Sequence, residues 1–150
     1  MRNLELPGRS PVHATAGMAA TSHPLATAAA LNVLQSGGNA MDAAVAACAV
    51  QGVVEPQSTG IGGDCFVLYA PEGSGEIIAF NGSGRAPGQA TPKWFADQGV
   101  SEITEHSPHA VTVPGAVDAW CRLLEDHGPR SIADTLQYAI HYAHEGFPIH

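Results

Sequence analysis

The chain has 150 residues, with 6 Lys and Arg against 14 Asp and Glu, for a formal net charge of -8. Neutralising phosphates needs clustered Lys and Arg. The six cations here are scattered, so neither nucleic acid nor an anionic membrane surface is expected as a partner. Charged residues make up 13% of the chain, against roughly 25% in typical globular domains. The deficit, filled mostly by Ala and Gly, points to a surface covered by further polypeptide.

In chain order, residues 1–11 read as an irregular lead-in. "VHATAGMAATS" mixes small and β-branched residues and reads as a buried strand. "SHPLATAAALNVLQSGGNA" reads as a helix, with Ser22 as its cap, Pro24 in its first turn and Gly37-Gly38 as its stop. Asn39 caps the next helix, "AMDAAVAACAVQGVV", and Asp42 lies near its positive dipole end. That helix is apolar nearly all round, the pattern of a central element, and Glu55-Pro56 ends it.

A glycine loop, "STGIGGDC", leads into the strand "CFVLYAP". Gly73 to Gly75 make a hairpin turn and "EIIAFNG" is the returning strand. "PKWFADQG" is a short helix begun at Thr91-Pro92. "HAVTVPGAVDAWCRLLEDHG" reads as a strand running into a helix, with Val117, Trp120, Cys121 and Leu124 as its apolar stripe. Ser131 caps a last helix, whose buried face is expected to be Ile132, Leu136, Ile140 and Ala143 and which Gly146 ends. The residues alone thus give an α/β (α+β) fragment.

Cys48, Cys65 and Cys121 form neither a C-x-x-C pair nor an even set, so each reads as a small buried hydrophobe. No run approaches the ~18 apolar residues of a membrane span. The opening "MRNLELPGRSPVH" lacks an apolar leader core. A cytoplasmic protein is expected, or a periplasmic or secreted one if a leader has been removed.

The glycine loop is not a phosphate cradle. No G-x-x-x-x-G-K-[ST] string occurs, and "GIGGDC" follows a helix and opens a strand, the reverse of the dinucleotide order. "GSGRAPG" follows a strand, but Pro87 stands at the third glycine position. What remains is close backbone approach, where a Cβ would collide. Asp64 reads as an acceptor for N–H groups of its own loop. His141 and His144 sit at helical i, i+3 spacing but find no second ligand cluster, with His106 and His109 the nearest in type, so no metal is expected. His13 and His23 read as hydrogen-bonded structural residues. Arg85, the only cation between Arg9 and Lys93, either grips a substrate carboxylate or ties down turn carbonyls. No nucleophile can be matched to a base.

Five strings in one order, "GMAATSHPLAT", "GGNAMDAAVA", "VEPQSTGIGGDCF", "NGSGRAP" and "VTVPGAVDAW", resemble the N-terminal part of the large subunit of γ-glutamyltransferases. The resemblance implies an N-terminal-nucleophile hydrolase with a four-layer αββα sandwich, cut from a self-processing precursor. Residues 1–150 would be the first portion of the large subunit, a single incomplete domain. The family's nucleophile is the N-terminal Thr of the small subunit, with its α-amine as base. No matching stretch occurs here, so this segment carries no catalytic residue and by itself would be inactive. The partners implied are the small subunit, or the remainder of the precursor, and a small-molecule amide such as a glutathione-type γ-glutamyl donor. No cofactor is implied. In glutamyl-handling members an Arg four residues before the Pro of the "AP" pair grips the substrate α-carboxylate. Ser83 stands at that position, and Arg85 follows two residues later, roughly 6–7 Å along an extended chain. Ser83 and Arg85 are therefore the expected substrate contacts, and amidohydrolases or acylases with a different acyl group stay open. The reading from another class is a non-catalytic α/β binding domain.

Overall fold

The structure is a computed structural model that describes residues 11–149. The lead-in read over residues 1–11 lies, apart from Pro11, outside the described residues. The described chain is α/β: helices pack around one long central helix, and a two-stranded hairpin lies beside them.

Helix α1 spans Pro24–Gln35 and α2 spans Ala40–Val54. The cap of α1 is His23 rather than Ser22: the His23 Nδ1 accepts the Leu25 N–H at 3.1 Å. Ser22 is unavailable because its hydroxyl donates to Glu55 and accepts from the Gln51 amide. Gly37 takes φ +90°, so the chain turns out of α1 in a conformation that favours glycine. Asn39 and Asp42 then form a reciprocal capping box. Asn39 Oδ1 accepts from the Met41 and Asp42 N–H groups at 2.9 and 3.1 Å, and the Asp42 carboxylate accepts the Asn39 N–H at 2.8 Å.

Helix α2 is central, as its all-round apolar pattern predicts. Met41, Val45, Ala46, Val50 and Val54 are buried, and it packs against α1, α4 (Ala116–His127), α5 (Ile132–Thr135) and α6 (Gln137–Glu145). Its alanines, with Ala26, Ala29 and Ala30 of α1, let the two helix backbones approach closely.

Strands β1 (Phe66–Tyr69) and β2 (Ile78–Asn81) pair antiparallel, with Val67 opposite Phe80 and Tyr69 opposite Ile78. The turn between them uses Gly73 and Gly75 at φ +72° and +70°. Val67, Tyr69 and Phe80 pack on the helical core, while Phe66 and Leu68 on the other face stay 68% and 78% exposed. An uncovered apolar sheet face agrees with the low surface charge read from composition. Helix α3, Pro92–Asp97, starts at Thr91 as expected.

Several expectations are corrected. Residues 12–22 form no strand, and Val12 to Met18 are exposed. A strand is held by a neighbour's hydrogen bonds, and among the described residues none pairs with this segment. The stretch before α4 is a short 3₁₀ turn, Pro108–Ala110, followed by irregular extended chain. On α4 the buried stripe is Ala116, Ala119, Trp120, Leu123 and Leu124, with Val117 exposed. The last helix is two pieces joined at Leu136; it buries Thr135 and Ala139, while Ile140 is exposed. The cysteines are not buried: Cys48 is exposed, and Cys65 and Cys121 are half-buried.

Candidate functional site

Three segments far apart in sequence meet at one end of the hairpin: residues 63–65, 82–85 and 112–116. The hairpin ladder runs one pair beyond the strands, with the Gly82 N–H donating to the Cys65 carbonyl at 2.7 Å. The chain then turns at Asn81, whose Oδ1 accepts from the Ser83 N–H at 3.0 Å and the Ser83 hydroxyl at 2.8 Å. Ser83 is thus held locally. The next residues are held from a distance. The Gly84 N–H donates to Asp64 Oδ1 at 3.3 Å, and the Thr112 hydroxyl donates to the same oxygen at 3.0 Å. The Val113 N–H donates to the Arg85 carbonyl at 3.0 Å.

This arrangement also starts α4. Gly115 offers no side-chain cap, and the first N–H groups of a helix have no partner within it. The Gly63 carbonyl accepts both the Gly115 and Ala116 N–H groups, at 3.1 and 3.0 Å.

The crossing is too tight for side chains at three points. A Cβ on Gly84 would overlap the Val113 carbonyl, and one on Gly115 would overlap the Gly82 carbonyl oxygen. One on Gly82 would lie 2.5 Å from the Ala119 Cβ and 3.0 Å from the Cys65 oxygen. Close approach was expected instead in the glycine loop. Among the described residues, nothing lies within 4 Å of a Cβ built at Gly60, Gly62 or Gly63. At this site glycine crowding therefore lies in the turn after β2 and the start of α4, not in the loop before β1; elsewhere Gly38, against Val33, and Gly128, against Asp42, are also crowded.

The candidate residues fall as follows. Ser83 and Arg85 are brought to this crossing, two residues apart on one turn. The Arg85 side chain is exposed and makes no hydrogen bond or ion pair among the described residues, so it does not tie down turn carbonyls there. Asp64 is an acceptor as expected, but for the neighbouring turn rather than its own loop. His23 is buried at the start of α1, as a structural histidine should be, while His13 is exposed and has no hydrogen bond among the described residues. His141 and His144 are exposed on α6, and His144 contacts Glu145 at 2.8 Å. His109 packs edge-on against Trp94 and Phe95. Among the described residues no three His, Cys, Asp or Glu side chains gather as a metal site. No helix of the described residues is long and apolar enough to cross a membrane.

Thr112 was not singled out from sequence. The only signal lay in the string that carries it, "VTVPG", since its partner Asp64 is 48 residues away.

Cys65 adjoins Asp64, and burial pushes its thiol up, opposed by a hydrogen bond from Trp120. Cys48 keeps solvent contact as a residue, but the groups packed round its thiol strip part of its solvation and push it up, and Cys65 nearby adds to this. Both groups are held as thiols rather than thiolates, the opposite of what a cysteine nucleophile needs. What the crossing offers is an unengaged guanidinium on a braced turn, suited to holding an anionic group; the Ser83 hydroxyl is already donated to Asn81.

Comparison with known proteins agrees with the motif order. The chain is 41% identical over 136 residues to the "Glutathione hydrolase-like YwrD proenzyme" of Bacillus subtilis (strain 168), covering 90% of this chain and 26% of that protein. It is 40% identical over 141 residues to the "Oxamate amidohydrolase proenzyme" of Klebsiella pneumoniae subsp. pneumoniae, covering 90% of this chain and 26% of that protein. The solved cephalosporin acylase of Bacillus halodurans superposes with a TM-score of 0.88 at 42% identity, over 98% of this chain and 27% of that one. The chain thus spans about a quarter of the length of the curated relatives it matches. The sequence profile of the gamma-glutamyltranspeptidase family matches residues 26–150, and the chain belongs to that family.

Proposed function

We propose that this chain is the N-terminal portion of the large subunit of an amide hydrolase and acyl transferase made as a self-processing precursor. The observation that carries the reading is the family match over residues 26–150. The relatives' names, a glutathione hydrolase-like proenzyme, an amidohydrolase proenzyme and an acylase, all denote amide-bond enzymes, which favours an enzyme over a non-catalytic binding domain. In this proposal the nucleophile is an N-terminal Thr carried by the remainder of the precursor. Its hydroxyl attacks the amide carbonyl and gives its proton to the α-amine, which passes it to the departing amine. The acyl-enzyme is then released by water or by an acceptor amine. Ser83 and Arg85 contribute one wall of the acyl pocket, with Arg85 holding a substrate carboxylate.

A second reading is favoured by Ser83 at the position where glutamyl-handling members carry Arg. The acyl group is then not γ-glutamyl but that of a small acidic amide or an acylated amine. Assaying the complete protein with a γ-glutamyl anilide and with oxamate separates the two. Arg85→Ala should raise KM for the anionic substrate and leave self-cleavage intact; unchanged kinetics would remove Arg85 from the pocket. A cytoplasmic site of action, with the periplasm or the exterior as alternatives, belongs to the same proposal, and cell fractionation followed by the amide assay decides it.

A further inference from the structure

We propose that Asp64 is a positioning residue that sets where Arg85 stands, and with it the specificity of the acyl pocket for anionic amides. The inference rests on the reading of Arg85 given under Proposed function. One carboxylate oxygen, Asp64 Oδ1, takes two donors, one from the turn that carries Arg85 and one from the segment bonded to that turn. The Gly84 N–H arrives from the residue before Arg85, at 3.3 Å. The Thr112 hydroxyl arrives at 3.0 Å from the residue before Val113, whose own N–H binds the Arg85 carbonyl at 3.0 Å.

Arg85 is therefore held through its own carbonyl and through the N–H of Gly84 before it, while its guanidinium makes no hydrogen bond or ion pair among the described residues. Ser83 is fixed separately by Asn81, so Asp64 acts on Gly84 and Arg85 and not on the start of the turn. An ionised acceptor suits this role, because hydrogen bonds to a charged group are stronger than neutral ones. A long guanidinium stem gains nothing from a loose root: displacing its Cα by an ångström or so carries the head away from a bidentate fit.

The test uses the complete protein with Asp64→Ala and Asp64→Asn, each also combined with Arg85→Ala. Amide hydrogen exchange over residues 82–86 reads the clamp directly. Losing a charge-assisted bond should speed it by about tenfold in Asp64→Ala, and Asp64→Asn, which keeps an acceptor oxygen, should restore most of the protection. If the alanine variant fails to accumulate, Thr112→Val removes one donor and should speed exchange in the same segment by a smaller factor. Exchange unchanged in these variants overturns the inference.

Kinetics on oxamate and the γ-glutamyl anilide read the consequence. Asp64→Ala should raise KM about as much as Arg85→Ala, and the double variant should be no worse than Arg85→Ala alone. A KM penalty that adds in full to that of Arg85→Ala would mean Asp64 acts elsewhere, and would overturn the inference. If Arg85→Ala itself leaves KM unchanged while Asp64→Ala speeds exchange, the substrate contact at Arg85 falls and the clamp stands on the exchange result.

Discussion

Replacing Gly84 with Ala perturbs the crossing with a single methyl group. The added Cβ would fall on the Val113 carbonyl, a backbone group that no side-chain rotation can move aside. Restoring ordinary contact requires the 82–85 turn and the 112–115 segment to separate by on the order of 2 Å. That separation breaks the Val113 N–H bond to the Arg85 carbonyl and strains both bonds into Asp64 Oδ1. Each is worth about 1 kcal/mol net, and exposure of the turn lets water replace part of the loss, so about 2–3 kcal/mol is expected. For a protein of its relatives' length the melting point moves by about 2 °C per kcal/mol, giving a fall of about 5 °C by scanning fluorimetry of the complete protein. KM for an anionic amide should rise in the same variant. Gly62→Ala is the contrast, because a Cβ there meets nothing within 4 Å among the described residues; its stability should stay within about 0.5 kcal/mol of the parent. Equal melting points for the parent and Gly84→Ala would refute the crossing, and the reasoning built on it.

Asp42→Ala should be the more destabilising change away from the site, by about 3 kcal/mol in urea titration. It empties a fully buried position that accepts from the Asn39 N–H at 2.8 Å and the Arg130 N–H at 3.3 Å, leaving two donors unmet. Ser131→Ala should cost about 1 kcal/mol in the same titration, since its hydroxyl accepts the Asp134 N–H at the start of α5. Cys48 should react with iodoacetamide more slowly at pH 8 than a free cysteine does. Its thiol is raised above the ordinary 9.0, so the rate should climb only as pH passes that value. The sign for stability follows: an unfolded thiol ionises first, so the contribution of the folded thiol is whole below pH 9.0 and declines above it.

Contacts within a few residues could be read without coordinates. The Asn39 cap of α2, the Thr91-Pro92 start of α3, the Gly73–Gly75 turn and the Gly146 stop each depend on near neighbours in the chain. The central place of α2 was visible in its composition, because a helix with no polar face has nowhere else to go. The position of Ser83 and Arg85 on one turn after a strand was visible too, as was the family through the order of its strings. Three matters needed the folded chain. Whether 12–22 becomes a strand depends on a partner for its hydrogen bonds, and local propensity supplies none. Which glycines are crowded depends on which backbones cross, so the open loop at 60–63 and the tight turn at 82–84 look alike in one dimension. Asp64 finds its donors 20 and 48 residues away. Short-range chemistry is written along the chain, whereas burial and long-range pairing come into being only when distant segments are brought within a few ångströms of one another.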